Sequence, residues 1–485
     1  MNLLANLGLS LASAVLLILL FPGFNISWLA PIALTPLLIV CAREASWKRR
    51  WFYGWAAGAL FWCGVCPWIQ FVMEVHGGMG IWGGWGTFVL FGLYKGLHMA
   101  VFATLAGFLL VRWWAIPAVA ALWTGIERTH GFFGFAWLDL GNAAIDMPLL
   151  MRLAPVTGVY GLSFLFAMLA CALALLFVRK PRRELLWLAA LAVLIALPRL
   201  PDPAVGSRKA LLVQPNIDTD MQWTEDSLRD TERKLELFSR INGADFILWP
   251  EVPAPFYIND APFRDYAAGI ARASRMPFLF GAVGSTPQRQ PLNSAQMLDS
   301  SGKVVDRYDK INLVPFGEFI PPLFGWVNRI TKEIGDFAPG ERVVVFPVGE
   351  HKLGAFICYE SVFPDLVRKF THGGAEVLVN LSNDGYFGHS AAHEQHLEIV
   401  RMRAAENRRW ILRATNDGIS ATVDPGGRVV ERMPSFVQTA ALMSFDYERA
   451  ETPYTRHGDW FAWGCLIASL ILCAMSAGSL ARRRL

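Results

Sequence analysis

The chain has 485 residues, 54% of them apolar, and a mean hydropathy of +0.35, which excludes an ordinary soluble protein. Its formal net charge of +4 comes largely from short basic segments between apolar runs. The sequence has no basic stripe with interleaved aromatic residues, so a nucleic-acid partner is not expected. Apolar runs dominate residues 1–200 and 458–485, whereas 201–457 has the composition of a globular domain. We predict a membrane domain, a globular domain and a closing membrane helix with these bounds.

The membrane domain is predicted to contain seven spans, with an eighth closing the chain. A helix that crosses a bilayer needs about 20 mostly apolar residues. The second, fifth and seventh segments are short or interrupted by proline. In chain order the eight segments lie near 3–21, 27–42, 51–73, 86–111, 113–128, 157–178, 184–199 and 460–480.

The distribution of Lys and Arg predicts the orientation of these spans. The loops "AREASWKRR" (42–50) and "RKPRR" (179–183) and the end "ARRRL" (481–485) are basic, whereas "PGFNIS" (22–27) carries no Lys or Arg. Basic loops face the cytoplasm. We therefore predict that both termini are cytoplasmic and that the globular domain faces the periplasm of a bacterial inner membrane.

The globular domain alternates short apolar strands with amphipathic helices, which is typical of an α/β sandwich. A hairpin is predicted to turn at Ser301-Gly302. Strands are predicted at 209–216, 245–251, 277–284, 353–360, 375–384, 410–424, 427–433 and 437–445, with helices at 224–242, 261–275, 362–371 and 391–408.

Three reactive side chains close predicted strands: Glu251, Lys310 and Cys358. Polar residues past strand ends collect in one crevice of such sheets. Cys358 is the sole cysteine between Cys171 and Cys465, and the other six lie in apolar spans. A thiol is mostly protonated at neutral pH and needs a base before it can attack. A carboxylate base, an ammonium for an oxyanion and a thiol make a coherent set.

Several strings resemble a known family. "WPE" (249–251), "YDKINLVPFGEFIP" (308–321) and "CYES" (358–361) resemble the Glu–Lys–Cys signature of the nitrilase, or carbon–nitrogen hydrolase, superfamily. Together with the membrane segments and "RAAENRRWILRATNDGIS" (403–420), the chain resembles the membrane-integrated branch, the apolipoprotein N-acyltransferase family. The resemblance implies a nitrilase-like αββα sandwich for the globular domain.

The resemblance also implies a reaction. Cys358 would take a fatty-acyl group from a phospholipid as a thioester, with Glu251 as base and Lys310 stabilising the oxyanion. The α-amino group of a diacylglyceryl apolipoprotein would then accept the acyl chain, in the last step of lipoprotein maturation. No cofactor or metal is implied, and a monomer is expected. The residues carried over in lesser roles are Glu318, Tyr359 and Glu360 as supports, and Trp137 and Trp223 as lipid contacts.

Two other function classes stay open on the sequence. A membrane-anchored amidase would use the same three residues and pass the thioester to water. A transporter or receptor with a ligand-binding outer domain would not require all three.

Some residues have competing interpretations. His389, His393 and His396 with Glu394 have a metal-like spacing, but no matching ligand set lies nearby, so zinc is not expected. The segment 319–335 is predicted to be an interfacial lid or, alternatively, domain core. Lys95, His98 and Glu127 lie in or beside spans, and pairing within the bundle competes there with a lipid-headgroup role.

Overall fold

The structure, a computed structural model, describes residues 3–132, 135–179, 182–319 and 337–482. The chain divides into two units, the helical unit (residues 1–75, 79–200 and 457–485) and the sandwich unit (76–78 and 201–456). The predicted lid at 319–335 lies, from residue 320 onward, outside the described residues.

The helical unit is built from α-helices and short 3-10 helices. The 3-10 helices are Ser27–Ile32, Leu140–Ala144, Leu150–Leu153 and Arg182–Ala192. The α-helices are α1 (Leu3–Leu19), α2 (Thr35–Arg43), α3 (Trp47–Val65), α4 (Trp68–Glu74), α5 (Gly80–Leu109), α6 (Ala115–Arg128), α7 (Ala154–Thr157), α8 (Val159–Phe177), α9 (Val193–Ala196) and, at the end of the chain, α15 (Trp460–Arg482).

Two described helices, α5 and α8, are long and apolar enough to cross a membrane. The pair α3 and α4 passes the same test together, but it bends by 69° at its break, so it is a third candidate span. Shorter apolar helices cover Leu3–Leu19, Ser27–Arg43 and Trp460–Ser476. The chain is therefore an integral membrane protein with two or three clear spans among its described residues, and the count of eight stays a prediction.

Two predicted spans have a different local structure. The segment 51–73 is two helices rather than one, because Pro67 lacks the N–H that an unbroken helix would need. The segment 184–199 forms the 3-10 helix Arg182–Ala192 and the single turn α9, not one long α-helix.

Three ionisable residues inside the helical unit have contacts within that unit. The Lys95 ammonium is fully buried, donates to the Phe135 carbonyl at 2.8 Å and lies 4.5 Å from the centre of the Trp62 ring. Glu127 accepts a hydrogen bond from the Leu140 N–H at 2.8 Å. The His98 ring packs against another histidine ring at 4.5 Å. These contacts favour pairing within the bundle.

The sandwich unit contains two six-stranded sheets. The first has the order β12-β1-β2-β3-β4-β5 and the second the order β11-β10-β9-β8-β7-β6. The strands are β1 (Arg208–Gln214), β2 (Ile247–Leu248), β3 (Phe278–Ser285), β4 (Pro291–Leu298), β5 (Val304–Asp309), β6 (Val345–Val348), β7 (His351–Ile357), β8 (Val377–Ser382), β9 (Ile411–Thr415), β10 (Ala421–Val423), β11 (Val429–Arg432) and β12 (Thr439–Phe445).

Helices cover the outer face of each sheet, which gives four layers. They are α10 (Glu225–Phe238), α11 (Ala261–Ser274), α12 (Pro364–His372), α13 (Ala392–Asn407) and α14 (Pro453–His457). Strand β1 shows how alternation builds the layers. Ala210 and Leu212 lie in the core that includes β7, β8 and β9, whereas Leu211 and Val213 lie in the core that includes α11. The parallel strands β1–β2–β3 and β7–β8–β9 run at the centre of the sheets.

The alternation of strands and helices in this unit follows the sequence pattern closely, with two differences. Strand β6 is absent from the predicted elements, and its Pro347 is tolerated because β6 is an edge strand. Strand β2 spans only two residues, although a run of seven was predicted. The predicted turn at Ser301-Gly302 is present, and Gly302 has φ +82°.

Candidate active site

Lys310 follows β5 and is the buried centre of the candidate site. Its ammonium lies 3.2 Å from Glu251 Oε1 and 2.9 Å from Glu318 Oε1, and the residue is 1% exposed. Burial alone would lower the pKa of Lys310, but the charges of Glu251 and Glu318 outweigh it and hold that pKa well above its ordinary value. The amine is therefore a fixed positive charge at neutral pH.

Asn293, on β4, joins the same two carboxylates. Its Nδ2 donates to Glu251 Oε1 at 2.8 Å and to Glu318 Oε1 at 2.7 Å. The other oxygen of Glu251 accepts the N–H of Asn383 at 2.9 Å. Glu251 is thus held from three elements. Asn293 was not among the predicted site residues, because it is one of three polar residues in β4 and nothing in the sequence distinguishes it from Ser294 and Gln296.

Cys358 stands immediately after β7, in a buried 3-10 turn. The thiol pKa is raised, first by burial and then by the charge of Glu251, while Lys310 acts in the opposite direction. The three residues predicted from strand ends therefore share one electrostatic environment. The resting thiol is neutral, and it needs a base during attack.

Three non-glycine residues adopt a left-handed backbone in the loops that carry these side chains. Val252 has φ +32°, Phe316 has φ +62° and Cys358 has φ +49°. Such residues typically cost about 1–3 kcal/mol each and occur where surrounding contacts over-determine the backbone. The loop of Glu251 is also packed tightly: a Cβ at Gly281 would lie 2.5 Å from the Pro250 carbonyl oxygen.

Glu360, two residues after the thiol, ties the thiol loop to the residues that follow β5. The buried Glu360 carboxylate accepts three backbone N–H groups, from Ile357, Ile311 and Asn312 at 2.7–3.1 Å, and the Tyr308 hydroxyl at 2.7 Å. Burial raises the pKa of Glu360 to about 7, and these donors oppose that rise. Tyr359 is 5% exposed.

The aromatic residues have different environments. Trp137, in the helical unit, is 3% exposed and packs against Trp68 at 5.1 Å. Trp223, in the sandwich unit, is half-buried against the core near α11. Their predicted lipid contacts stay predictions. Tyr386 was not among the predicted site residues. Burial and then the charge of Glu251 raise the pKa of its phenol to about 12, and Lys310 opposes that rise. The residue is 48% exposed.

Asp384, Arg413 and His396 form a second buried network, which contacts the backbone of Cys358. Both Asp384 oxygens accept Arg413 Nη2, at 2.9 and 2.6 Å, and Oδ1 accepts the Ser382 hydroxyl at 2.8 Å. Asp384, Arg413 and His396 are fully buried. In the sequence, His396 belongs to a set of residues with a metal-like spacing. His396 instead contacts Asp384 and the Cys358 carbonyl, and Glu394 pairs with an arginine at 2.9 Å.

The remaining members of that set also have protein contacts. His393 Nε2 lies 2.7 Å from the Gly388 carbonyl oxygen, and the His389 ring packs on Phe436 at 4.0 Å. In the part of the chain that the structure describes, no group of three or more His, Cys, Asp or Glu side chains has a metal-binding arrangement.

Two family models match the chain. Residues 13–172 match the model described as "Apolipoprotein N-acyltransferase N-terminal domain". Residues 209–452 match the model described as "Carbon-nitrogen hydrolase", and this range contains Glu251, Lys310 and Cys358.

Proteins of similar length match along the whole chain. A protein of Geobacter metallireducens named apolipoprotein N-acyltransferase is 34% identical to this chain, covering 96% of this chain and 94% of that protein. One of Methylococcus capsulatus with the same name is also 34% identical and covers 98% and 96%, respectively. Among solved structures, an amidase from Nesterenkonia sp. is 19% identical with a TM-score of 0.37, covering 53% of this chain and 94% of that chain.

The Asp384 pair gives a prediction for stability. Burial alone would raise the pKa of Asp384, but the charge of Arg413 outweighs it and holds that pKa below its ordinary value of 3.8. A depressed carboxyl pKa stabilises the fold above the unfolded value and loses that effect as pH falls. We expect Asp384→Asn to cost about 3–5 kcal/mol at pH 7, because it leaves a buried guanidinium without its partner.

The measurement is the thermal midpoint of the full chain in detergent from pH 7 to about pH 2. The deficit of Asp384→Asn relative to wild type should stay constant down to about pH 5 and shrink below pH 3.8, because the folded pKa of Asp384 lies below that value. Asp365→Asn is the matched control, because its partly exposed pair with Lys369 contributes about 1 kcal/mol or less. Equal deficits in both variants, or a deficit independent of pH, would contradict the prediction.

Proposed function

The chain belongs to the apolipoprotein N-acyltransferase family, and from this premise we propose that its acyl transfer runs through a thioester on Cys358. Its activity is the N-acylation of apolipoproteins, which implies a lipoprotein acceptor and a phospholipid donor. One observation carries the proposal: Lys310 bridges Glu251 and Glu318, and the charges of Lys310 and Glu251 both act on the thiol.

In the first half-reaction, Cys358 Sγ attacks the carbonyl carbon of a fatty-acyl ester of the phospholipid. Glu251 accepts the thiol proton as the C–S bond forms. The carbonyl oxygen becomes an oxyanion, and the Lys310 ammonium stabilises it. The ester C–O bond then breaks, the proton returns from Glu251 to the leaving oxygen, and a lysophospholipid departs. The acyl chain remains on sulfur.

In the second half-reaction, the α-amino group of the diacylglyceryl-cysteine attacks the thioester carbonyl carbon. Its nitrogen loses a proton to Glu251 as the C–N bond forms. The C–S bond breaks, and the proton passes from Glu251 to the departing sulfur. Cys358 is thereby restored as a neutral thiol, the state that burial favours. The product is an N-acylated lipoprotein.

The supporting residues have roles that follow from their contacts. Glu318 accepts hydrogen bonds from the Lys310 ammonium at 2.9 Å and from the Val314 N–H at 2.8 Å, so it orients the amine. Glu360 ties the thiol loop to the loop after Lys310. The Tyr359 N–H is proposed as a second oxyanion donor. Trp137 and Trp223 are proposed as lipid contacts.

Transfer is favoured over the two other function classes. A hydrolase would use the same three residues, but the matched N-terminal model belongs to N-acyltransferases and covers residues 13–172. A ligand-binding receptor would have no use for a buried amine shared by two carboxylates beside a thiol.

We also propose the arrangement in the membrane that the sequence predicts. Eight spans in the regions 1–200 and 458–485 would place both termini in the cytoplasm. The region 201–457 would face the periplasm of a bacterial inner membrane, where the acceptor lipoprotein is exposed, and the chain would act as a monomer. The basic loop at 42–50 supports this orientation.

The catalytic roles predict a graded set of activities. Cys358→Ala should lower N-acylation by roughly 10⁴-fold or more, because the nucleophile is removed. Lys310→Met should lower it by roughly 10²–10³-fold, because one oxyanion partner is lost. The assay is transfer of a fluorescent acyl chain from phospholipid to a diacylated peptide. Cys171→Ala, a buried thiol in α8, is the matched control and should retain activity. Turnover by a folded Cys358→Ala variant would overturn the proposal.

The orientation can be measured by labelling of single introduced cysteines in a Cys358→Ala background. Ser301→Cys lies in the exposed turn between β4 and β5, and Ala45→Cys lies in the basic loop at 42–50. A membrane-impermeant maleimide added to spheroplasts should label Ser301→Cys at once and Ala45→Cys only after the membrane is opened. If Ala45→Cys is labelled at once and Ser301→Cys only after the membrane is opened, the proposed orientation is wrong, and the proposed catalytic roles are unaffected.

A further inference from the structure

The backbone of Cys358 needs an external constraint. Its φ of +49° lies in the left-handed region that L-residues other than glycine rarely adopt. The residue is also the first of a 3-10 turn, Cys358–Val362. A backbone of this kind persists only where surrounding contacts fix it.

His396 provides that contact from α13. Its Nε2 lies 3.1 Å from the Cys358 carbonyl oxygen and 2.9 Å from Ser361 Oγ, and the ring is fully buried. A carbonyl oxygen only accepts hydrogen bonds, so Nε2 must carry the proton. The bond therefore joins the helix to the peptide of the nucleophile itself.

The other ring nitrogen fixes the tautomer. His396 Nδ1 lies 3.0 Å from Arg413 Nη2 and 3.1 Å from Asp384 Oδ1. Because Nε2 carries the one proton of a neutral ring, Nδ1 presents its lone pair, and the guanidinium, which only donates, is its hydrogen-bond partner. The Asp384 carboxylate holds that guanidinium through its second oxygen at 2.6 Å. Burial first, and then the charge of Arg413, lower the pKa of His396, so the ring is neutral. These contacts direct both ring nitrogens to groups other than the Cys358 sulfur, which distinguishes His396 from a base for the thiol.

We propose that His396 is a positioning residue for the nucleophile: its Nε2–H holds the Cys358 carbonyl, and Arg413 with Asp384 holds the ring. In a planar trans peptide, the C=O of Cys358 and the N–H of Tyr359 point in opposite directions. Fixing the carbonyl toward α13 therefore also fixes the direction of the Tyr359 N–H, the second oxyanion donor. The inference rests on the proposed role of Cys358 as nucleophile.

The test compares two amides at position 396 in the full-length protein. Gln places its amide N–H near the position of His Nε2, whereas Asn is one methylene shorter and cannot reach the Cys358 carbonyl. His351→Gln is the control, since His351 begins the strand that ends before Cys358 and lies about 23 Å away along the chain. The readout is the single-turnover rate of thioester formation with a fluorescent phospholipid, per mole of folded protein.

His396→Asn should form the thioester about 10²-fold more slowly than wild type, with an unchanged KM for phospholipid, because a small misplacement of reacting groups has that effect. His396→Gln should recover to within about tenfold of wild type, and His351→Gln should match wild type. Equal rates for the Asn and Gln variants would overturn the positioning role, as would a wild-type rate in His396→Asn.

Cys358→Ala, assayed alongside, separates this inference from the proposed nucleophile. If Cys358→Ala still forms a thioester, the nucleophile assignment fails. If it forms none and the two amide variants are alike, only the role of His396 fails.

Discussion

The buried ammonium of Lys310 is the interaction on which the site depends. A charged amine removed from water is several kcal/mol unfavourable unless opposite charges surround it. Glu251 and Glu318 supply those charges within 3.2 Å, and Asn293 holds both carboxylates from β4. One positive and two negative charges beside a buried thiol favour its neutral form. The same arrangement gives the thiol a base that can accept its proton and a cation that can stabilise an oxyanion.

The backbone of three loops positions the Glu251, Glu318 and Cys358 side chains. The loops of Glu251, Glu318 and Cys358 each contain a left-handed non-glycine residue, and each is tied to a neighbouring element by hydrogen bonds. Glu360 connects two of them through backbone N–H groups of Ile311 and Ile357. The left-handed residues are therefore held by contacts from both sheets, as such residues require.

Much of this arrangement follows from the sequence because it depends on local pattern. Apolar runs of strand length, followed by Glu251, Lys310 or Cys358, predict both the sandwich and the crevice. The fold differs where proline changes the backbone: Pro67 divides a predicted span, and β6 tolerates Pro347 at its edge. The network of Asp384, His396 and Arg413 could not be read from the sequence, since its members are 12–29 residues apart on three elements. His396 lies in a run of histidines with a metal-like spacing, and only the fold shows that its ring contacts the Cys358 carbonyl oxygen.

The central claim is that the acyl group rests on one sulfur between donor and acceptor. The most direct measurement is the intact mass of the purified protein after incubation with phospholipid alone. A gain of one fatty-acyl group, removed by neutral hydroxylamine and mapped to Cys358 by peptide analysis, is the predicted result. An active preparation that carries no adduct, or carries it on another residue, would contradict the account.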